Sequence, residues 1–164
     1  MDNNLLINGS KGILAMITGI FIYVAGSITE LVIVLVFLMI LDYITGMIAG
    51  YIQKKWSSSI GLKGAVKKVG FIFLVLIAIL TDYVIVQLGA KIGITLGFVG
   101  VFTFAVTCWL ISTELLSITE NLGRMGVTIP KFLRIAFTKL KDVSEKVGGE
   151  AAEKIKEGEQ SKCK

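Results

Sequence analysis

Three apolar runs, Leu31–Ile52, Val69–Leu88 and Ile94–Ile118, each reach the length of a bilayer crossing, and each contains a single acid: Asp42, Asp82 and Glu114. About 20 mostly apolar residues in a helix span ~30 Å of hydrocarbon, where a backbone satisfies its own hydrogen bonds by being helical. This pattern constrains the chain to an all-α integral membrane fold with three firm transmembrane helices. A carboxylate at mid-bilayer costs roughly 2.5–3.5 kcal/mol on insertion scales, so each acid requires a partner, water or protonation. These acids are therefore expected to face protein or water, shielded by sister molecules or a hydrated cavity.

A fourth apolar stretch, Ile13–Ile28, is shorter. Residues 1–30 are read as a hydrophobic N-terminal segment that is interfacial, re-entrant or an extra span. A cleaved signal peptide fits it poorly, because Asp2 offsets Lys11 and another apolar segment follows at once. Gly26, Ser27 and Glu30 mark a turn at the water boundary.

The charges between the spans set the orientation. Residues 53–68 carry Lys54, Lys55, Lys63, Lys67 and Lys68 and no acid, whereas the next connection offers only Lys91. The positive-inside rule places this lysine-rich loop, and with it the C-terminus, on the cytoplasmic side of a bacterial cell membrane. Three spans, all within residues 31–118 and the preferred count, put the N-terminus outside, and four, with residues 13–28 as the extra span, put it inside.

The acids lie on faces of small or polar residues. Asp42, Gly46, Ala49 and Gln53 share one side of the first span, and Gly46 with Gly50 forms a GxxxG pair that permits close helix packing. Gly70, Ala78 and Asp82 share a face of the second. In the third, Gly100, Thr103, Thr107, Glu114, Ser117 and Asn121 recur at helical spacing, interrupted only by Leu110. Such a stripe lines a water path or serves as hydrogen-bonding glue between helices, and its spacing alone fits both.

Beyond the third span, residues 119–149 read as a basic amphipathic cytoplasmic helix. Pro130 suits its first turn and the Gly148, Gly149 pair its end. Phe132, Ala136, Leu140, Val143 and Val147 form an apolar stripe among Lys131, Arg134, Lys139, Lys141 and Lys146. That pattern fits rest on an anionic leaflet, with Lys131 and Arg134 at the lipid, and equally a contact within a bundle or oligomer. Residues 150–164, rich in glycine and charge, are expected to be a disordered tail.

With no histidine and only Cys108 and Cys163, the chain lacks the ligands of a zinc or haem site and the parts of a catalytic triad. It is read as a non-enzyme without cofactor, metal or nucleic-acid partner. No internal repeat of the kind that builds transporters is visible. Three short spans enclose little volume, so any pore needs several copies.

Three local patterns carry a resemblance. They are "LDYITGMIAG", with Asp42, Thr45 and Gly46; "SSSIGLKGAVKKVG", with Ser59, Gly61, Gly64, Lys67 and Lys68; and "ELLSITENLGRMGVTIPKFL", with Glu114, Ser117, Glu120, Asn121, Gly126, Pro130 and Lys131. Together, over about residues 31 to 140, the chain resembles the phage-type holin family that includes the clostridial toxin-release holins. The resemblance implies a phage or prophage protein that accumulates in the bacterial cytoplasmic membrane, forms homo-oligomers and permeabilises the bilayer. An endolysin or a large protein toxin would be the released cargo. An antiholin or regulatory membrane anchor, and a small ion channel, are the alternative readings.

Overall fold

A computed structural model of the chain describes residues 3–54, 57–92 and 99–160. Its described residues form five helices: α1 (Asn3–Gly26), α2 (Glu30–Ile52), α3 (Ser58–Ile92), α4 (Val101–Arg124) and α5 (Lys131–Gln160). Three of them, Glu30–Ile52, Gly61–Lys91 and Val101–Arg124, are long and apolar enough to cross a membrane, while Lys11–Gly26 is a shorter apolar helix. The chain is thus a helical membrane protein with the expected three spans.

The turn expected near Gly26 is present. Ser27 closes α1 by donating its amide to the Tyr23 and Val24 carbonyls. Thr29 then takes extended backbone (φ −86°, ψ 169°) before α2 begins at Glu30. That break fixes Asp42 well inside α2 and not at a boundary.

Two boundaries differ from the sequence reading. The lysine-rich segment is helical from Ser58 onward, since Leu62, Lys63, Ala65, Lys67 and Lys68 favour helix and no proline interrupts them. Past the end of α2, Lys54 takes a positive φ of 54°. Lys55 lies outside the described residues. At 1.5 Å per residue the 35-residue α3 is about 52 Å long, well beyond the hydrocarbon thickness. The third span begins at Val101, after Gly100 in the left-handed conformation (φ 81°), and the expected start at Ile94 lies outside the described residues.

Helix α4 is the hub, packed by α2, α3 and α5, whereas α1 touches α3. The core joins Leu35, Leu38 and Met39 of α2 to Val75 and Ile79 of α3 and to Leu110 and Ile111 of α4. Spacings of three and four residues put each set on one side of its helix. The opposite sides, with Ile33, Phe37 and Ile40 on α2 and Phe73 and Ile77 on α3, are strongly exposed. In water such surfaces would aggregate, but in hydrocarbon they match the solvent. The edge of α1 joins the bundle through Tyr23, whose ring meets Tyr83 edge-on with centroids 5.1 Å apart.

The largest departure is α5, which runs through Gly148 and Gly149 to Gln160 where a helix end and a disordered tail were expected. Residues 161–164 lie outside the described residues. The glycines here permit close packing: a Cβ on Gly148 would stand 3.4 Å from the Ala105 Cβ. Ser144 and Ala151 are buried on the same side, and Lys141 stacks on the Trp109 ring, its Nζ 4.4 Å from the centroid. The stripe expected to be the working face, including Phe132, Leu140 and Val143, is left exposed. Replacing Gly148 by leucine should lift α5 off α4, and faster proteolysis of α5 in detergent, with α2–α4 intact, is the expected readout.

Candidate functional site

The polar residues of the spans gather in two places along α4. The first joins three helices. Lys68 Nζ of α3 donates to Asp42 Oδ2 of α2 at 2.9 Å and to Glu114 Oε2 of α4 at 2.6 Å. Asn121 Nδ2, two turns further along α4, donates to the other Asp42 oxygen, Oδ1, at 3.0 Å. It also lies 3.4 Å from Thr45 Oγ1, whose hydroxyl donates to the Leu41 carbonyl. The Glu114 side chain is 3% exposed, against 14% for Lys68 and 16% for Asp42. Two acids and one ammonium bound by charge-assisted hydrogen bonds provide the compensation that low-dielectric burial requires.

Local sequence explains why the groups converge. Asp42, Thr45, Gly46 and Ala49 recur at helical spacing, so the α2 face that carries the acid also carries its smallest residues. Gly46 makes room for Asn121: a Cβ there would stand 3.3 Å from the Asn121 Nδ2. Ala49 is buried below it. The cluster floors a cleft of about 250 Å³ that also takes in Gly50, Gly61, Gly64, Lys67, Ser117 and Arg124. A leucine at position 46 forces α2 away from α4, at roughly 1–3 kcal/mol by overpacking. Gly46→Leu is expected to lower the resistance of the bundle to SDS, and Gly46→Ala to lower it less.

The second cluster is built on Asp82 of α3, which is 3% exposed. Its carboxylate accepts from the Phe102 amide at 3.2 Å, the Thr103 amide at 2.8 Å and the Thr103 hydroxyl at 2.6 Å. These amides belong to the first turn of α4, which has no intrahelical acceptors, and the helix dipole adds positive potential there. A carboxylate from a neighbouring helix therefore caps α4. Gly100 supplies the left-handed residue that admits this entry. Thr107 is buried one turn on, its hydroxyl without a hydrogen-bond partner among the described groups. It lines a cleft of about 460 Å³ with Tyr23, Ser27, Thr29 and Gly100.

Between the clusters stand Leu110, fully buried, and Ile111. The predicted stripe is thus two polar ends divided by an apolar plug. Glu114, Ser117 and Asn121 belong to one end, and Gly100, Thr103 and Thr107 to the other. Where sister molecules or a hydrated cavity were expected to shield the acids, the structure satisfies them within one chain. For Asp42 and Glu114 the reason is Lys68, which the sequence reading placed with the lysines that set topology. Its signal was its spacing: Gly61, Gly64 and Lys68 fall on one helical face just ahead of an apolar run. Lys54, Lys63, Lys67, Lys131 and Arg134 remain exposed. Arg134 lies 4.0 Å from Glu120 in an exposed pair.

Residues 19–142 match the bacteriophage holin family, a stretch that takes in all three spans and both clusters. The chain belongs to that holin family. An uncharacterized protein of Halalkalibacterium halodurans is 35% identical over 136 residues, covering 83% of this chain and 94% of that protein. An uncharacterized protein of Listeria monocytogenes is 36% identical over 115 residues, covering 70% of this chain and 74% of its own. A probable holin of Bacillus phage phi105 is 35% identical over 108 residues, covering 66% of this chain and 71% of that holin. No solved structure matches the chain. The holin family match includes the Lys68 cluster and ends within α5, before the docking residues Ser144, Gly148 and Ala151.

Proposed function

We propose that the chain acts as a holin, gathering into homo-oligomers in the bacterial cytoplasmic membrane and opening a lesion through which an endolysin or a large protein toxin leaves. The holin-family match across all three membrane spans is the observation that carries this reading. The role is physical and not catalytic: the chain moves through lipid, assembles and breaches the barrier.

The site supports a way to hold such an activity in check. With Asp42 and Glu114 bound to Lys68, and Asp82 spent on the α4 N-terminus, a single copy offers lipid mainly Ile, Val, Leu and Phe side chains. Such a copy is stable in hydrocarbon and free to diffuse. Lysis or export then depends on density, when contacts between copies outcompete contacts with lipid and polar surfaces meet water together. The lysines of residues 53–68 fix orientation with that end and the C-terminus in the cytoplasm. Each charge that moves through the field feels about 2.3 kcal/mol per 100 mV, which gives membrane potential a hold on timing.

Inducible expression in a bacterium, with membrane potential and release of a co-expressed folded cytoplasmic protein followed together, tests the reading. Loss of potential with protein release is expected. Loss of potential with full retention of the protein would instead mark a small ion channel, and neither event would mark an antiholin or anchor.

A further inference from the structure

The cleft above the Lys68 cluster holds more charge than the cluster uses. It runs from Asp42, Lys68 and Glu114 at its floor to the place where α2 and α4 end and α3 begins, with Gly50, Ser57 and Arg124 in its outer wall. At 1.5 Å per residue, Glu114 to Arg124 is about 15 Å along α4. The lining carries three cations, Lys67, Lys68 and Arg124, against two acids, Asp42 and Glu114. Both acids are taken at the floor by Lys68 and Asn121. Lys67 and Arg124 are exposed and make no ion pair among the described residues; the Lys67 Nζ lies over the Phe71 ring, 5.3 Å from its centroid. The cleft is therefore left with one unit of uncompensated positive charge. The first turn of α3 adds the positive end of a long helix, with Ser57 and Gly61 in the wall.

A glycine keeps the space open. Gly64 sits inside α3, where glycine is disfavoured relative to alanine. A Cβ there would meet nothing within 4 Å, whereas one on Gly46 would press on Asn121. Packing within the chain does not require Gly64, and what its missing side chain preserves is room in the cleft. The volume of about 250 Å³ holds roughly eight water-sized groups, enough for a phosphate with a short polar headgroup and too little for a folded partner. We propose that the cleft holds the headgroup of an anionic phospholipid from the leaflet at the lysine-rich end, its phosphodiester between Lys67 and Arg124. One phosphodiester carries a single negative charge and neutralises the lining. Arg124 offers a fork of N–H donors to the phosphate oxygens and Lys67 a point charge. The spans α2 and α4 stop at Ile52 and Arg124, which puts the mouth of the cleft at headgroup depth. The lipid is held by a single copy, so this binding does not depend on whether copies open a hole.

Native mass spectrometry of the purified full-length protein, released from mixed micelles of phosphatidylglycerol and phosphatidylcholine, provides the test. One phosphatidylglycerol per chain should be retained in preference to phosphatidylcholine. Lys67→Ala with Arg124→Ala should lower that preference roughly 30-fold, at about fivefold for each cation near an anionic headgroup. Lys63→Ala, which removes an exposed lysine of α3 outside the cleft lining, should leave it unchanged. Gly64→Leu should abolish retention by filling the cleft, with resistance to SDS kept at the parent level. Equal retention of the two lipids by the parent, or a preference that survives the double variant, would overturn the proposal. A loss on Lys63→Ala as large as that of the double variant would mark a diffuse basic surface and overturn it too. Displacement of the retained lipid by millimolar inorganic phosphate would assign the cleft to a soluble ion and overturn the choice of lipid.

Discussion

Replacing Lys68 by methionine should cost the bundle about 3–5 kcal/mol, the range for removing one partner of a buried ion pair. The variant strips Asp42 and Glu114 of their shared ammonium at a depth where lipid offers no substitute. Resistance to SDS unfolding in mild detergent should fall, and the protein should accumulate poorly in membranes. Lys68→Arg keeps the charge and should retain most of the resistance. Neutralising the acids in the same chain, with Asp42→Asn and Glu114→Gln beside Lys68→Met, should recover part of the loss, because no uncompensated charge is then left buried. A triple variant as weak as Lys68→Met would mean that the lysine acts through packing and not through charge.

Removing the Asp82 carboxylate should be the second large effect. Asp82→Ala leaves the Phe102 and Thr103 amides and the Thr103 hydroxyl without their acceptor. Hydrogen bonds to a charged group are worth about 1.5–3 kcal/mol, and the buried donors left behind gain nothing from lipid. The damage should be local: hydrogen exchange at Phe102 and Thr103 should quicken strongly while amides around Glu114 keep their protection. Asp82→Asn preserves one acceptor oxygen and should fall between alanine and the parent. Thr103→Val removes only the hydroxyl contact and should be milder still.

The spans were legible because their determinant is local. Runs of about 20 apolar residues name themselves, and the acids within them had to be satisfied wherever the helices packed. Asp42, Glu114 and Asn121 were singled out and meet in one cluster, but the partner that joins them was not singled out for it. Lys68 sits next to Lys67 at the edge of an apolar run, and a net-charge count treats the two alike. They differ by 100° around a helix whose packing the sequence does not display: Lys68 turns inward, whereas Lys67 stays outside near Phe71. The GxxxG pair shows the same limit. Its small residues signalled a close approach without naming the partner, and within the chain Gly46 approaches Asn121 of α4.

Helix α5 was legible in kind and misread in orientation. Its apolar arc is broad enough to hold two stripes. The one with large side chains, Phe132, Leu140 and Val143, drew attention, yet the one with small residues, Ser144, Gly148 and Ala151, docks. Small residues permit the near approach that helix packing in membranes favours. Gly148 and Gly149 therefore read as a helix end from local propensity, while tertiary contact carries the helix past them.

The most direct measurement follows the ammonium of Lys68 in lipid. Solid-state NMR of protein labelled with nitrogen-15 at lysine side chains and carbon-13 at carboxyl groups should show Lys68 in contact with both Asp42 and Glu114. Those contacts should keep their full strength when labelled chains are diluted into an excess of unlabelled ones, because the acids are satisfied within each copy. Contacts that fade with dilution would assign the pairing to neighbouring molecules and contradict the self-contained single copy on which the account stands.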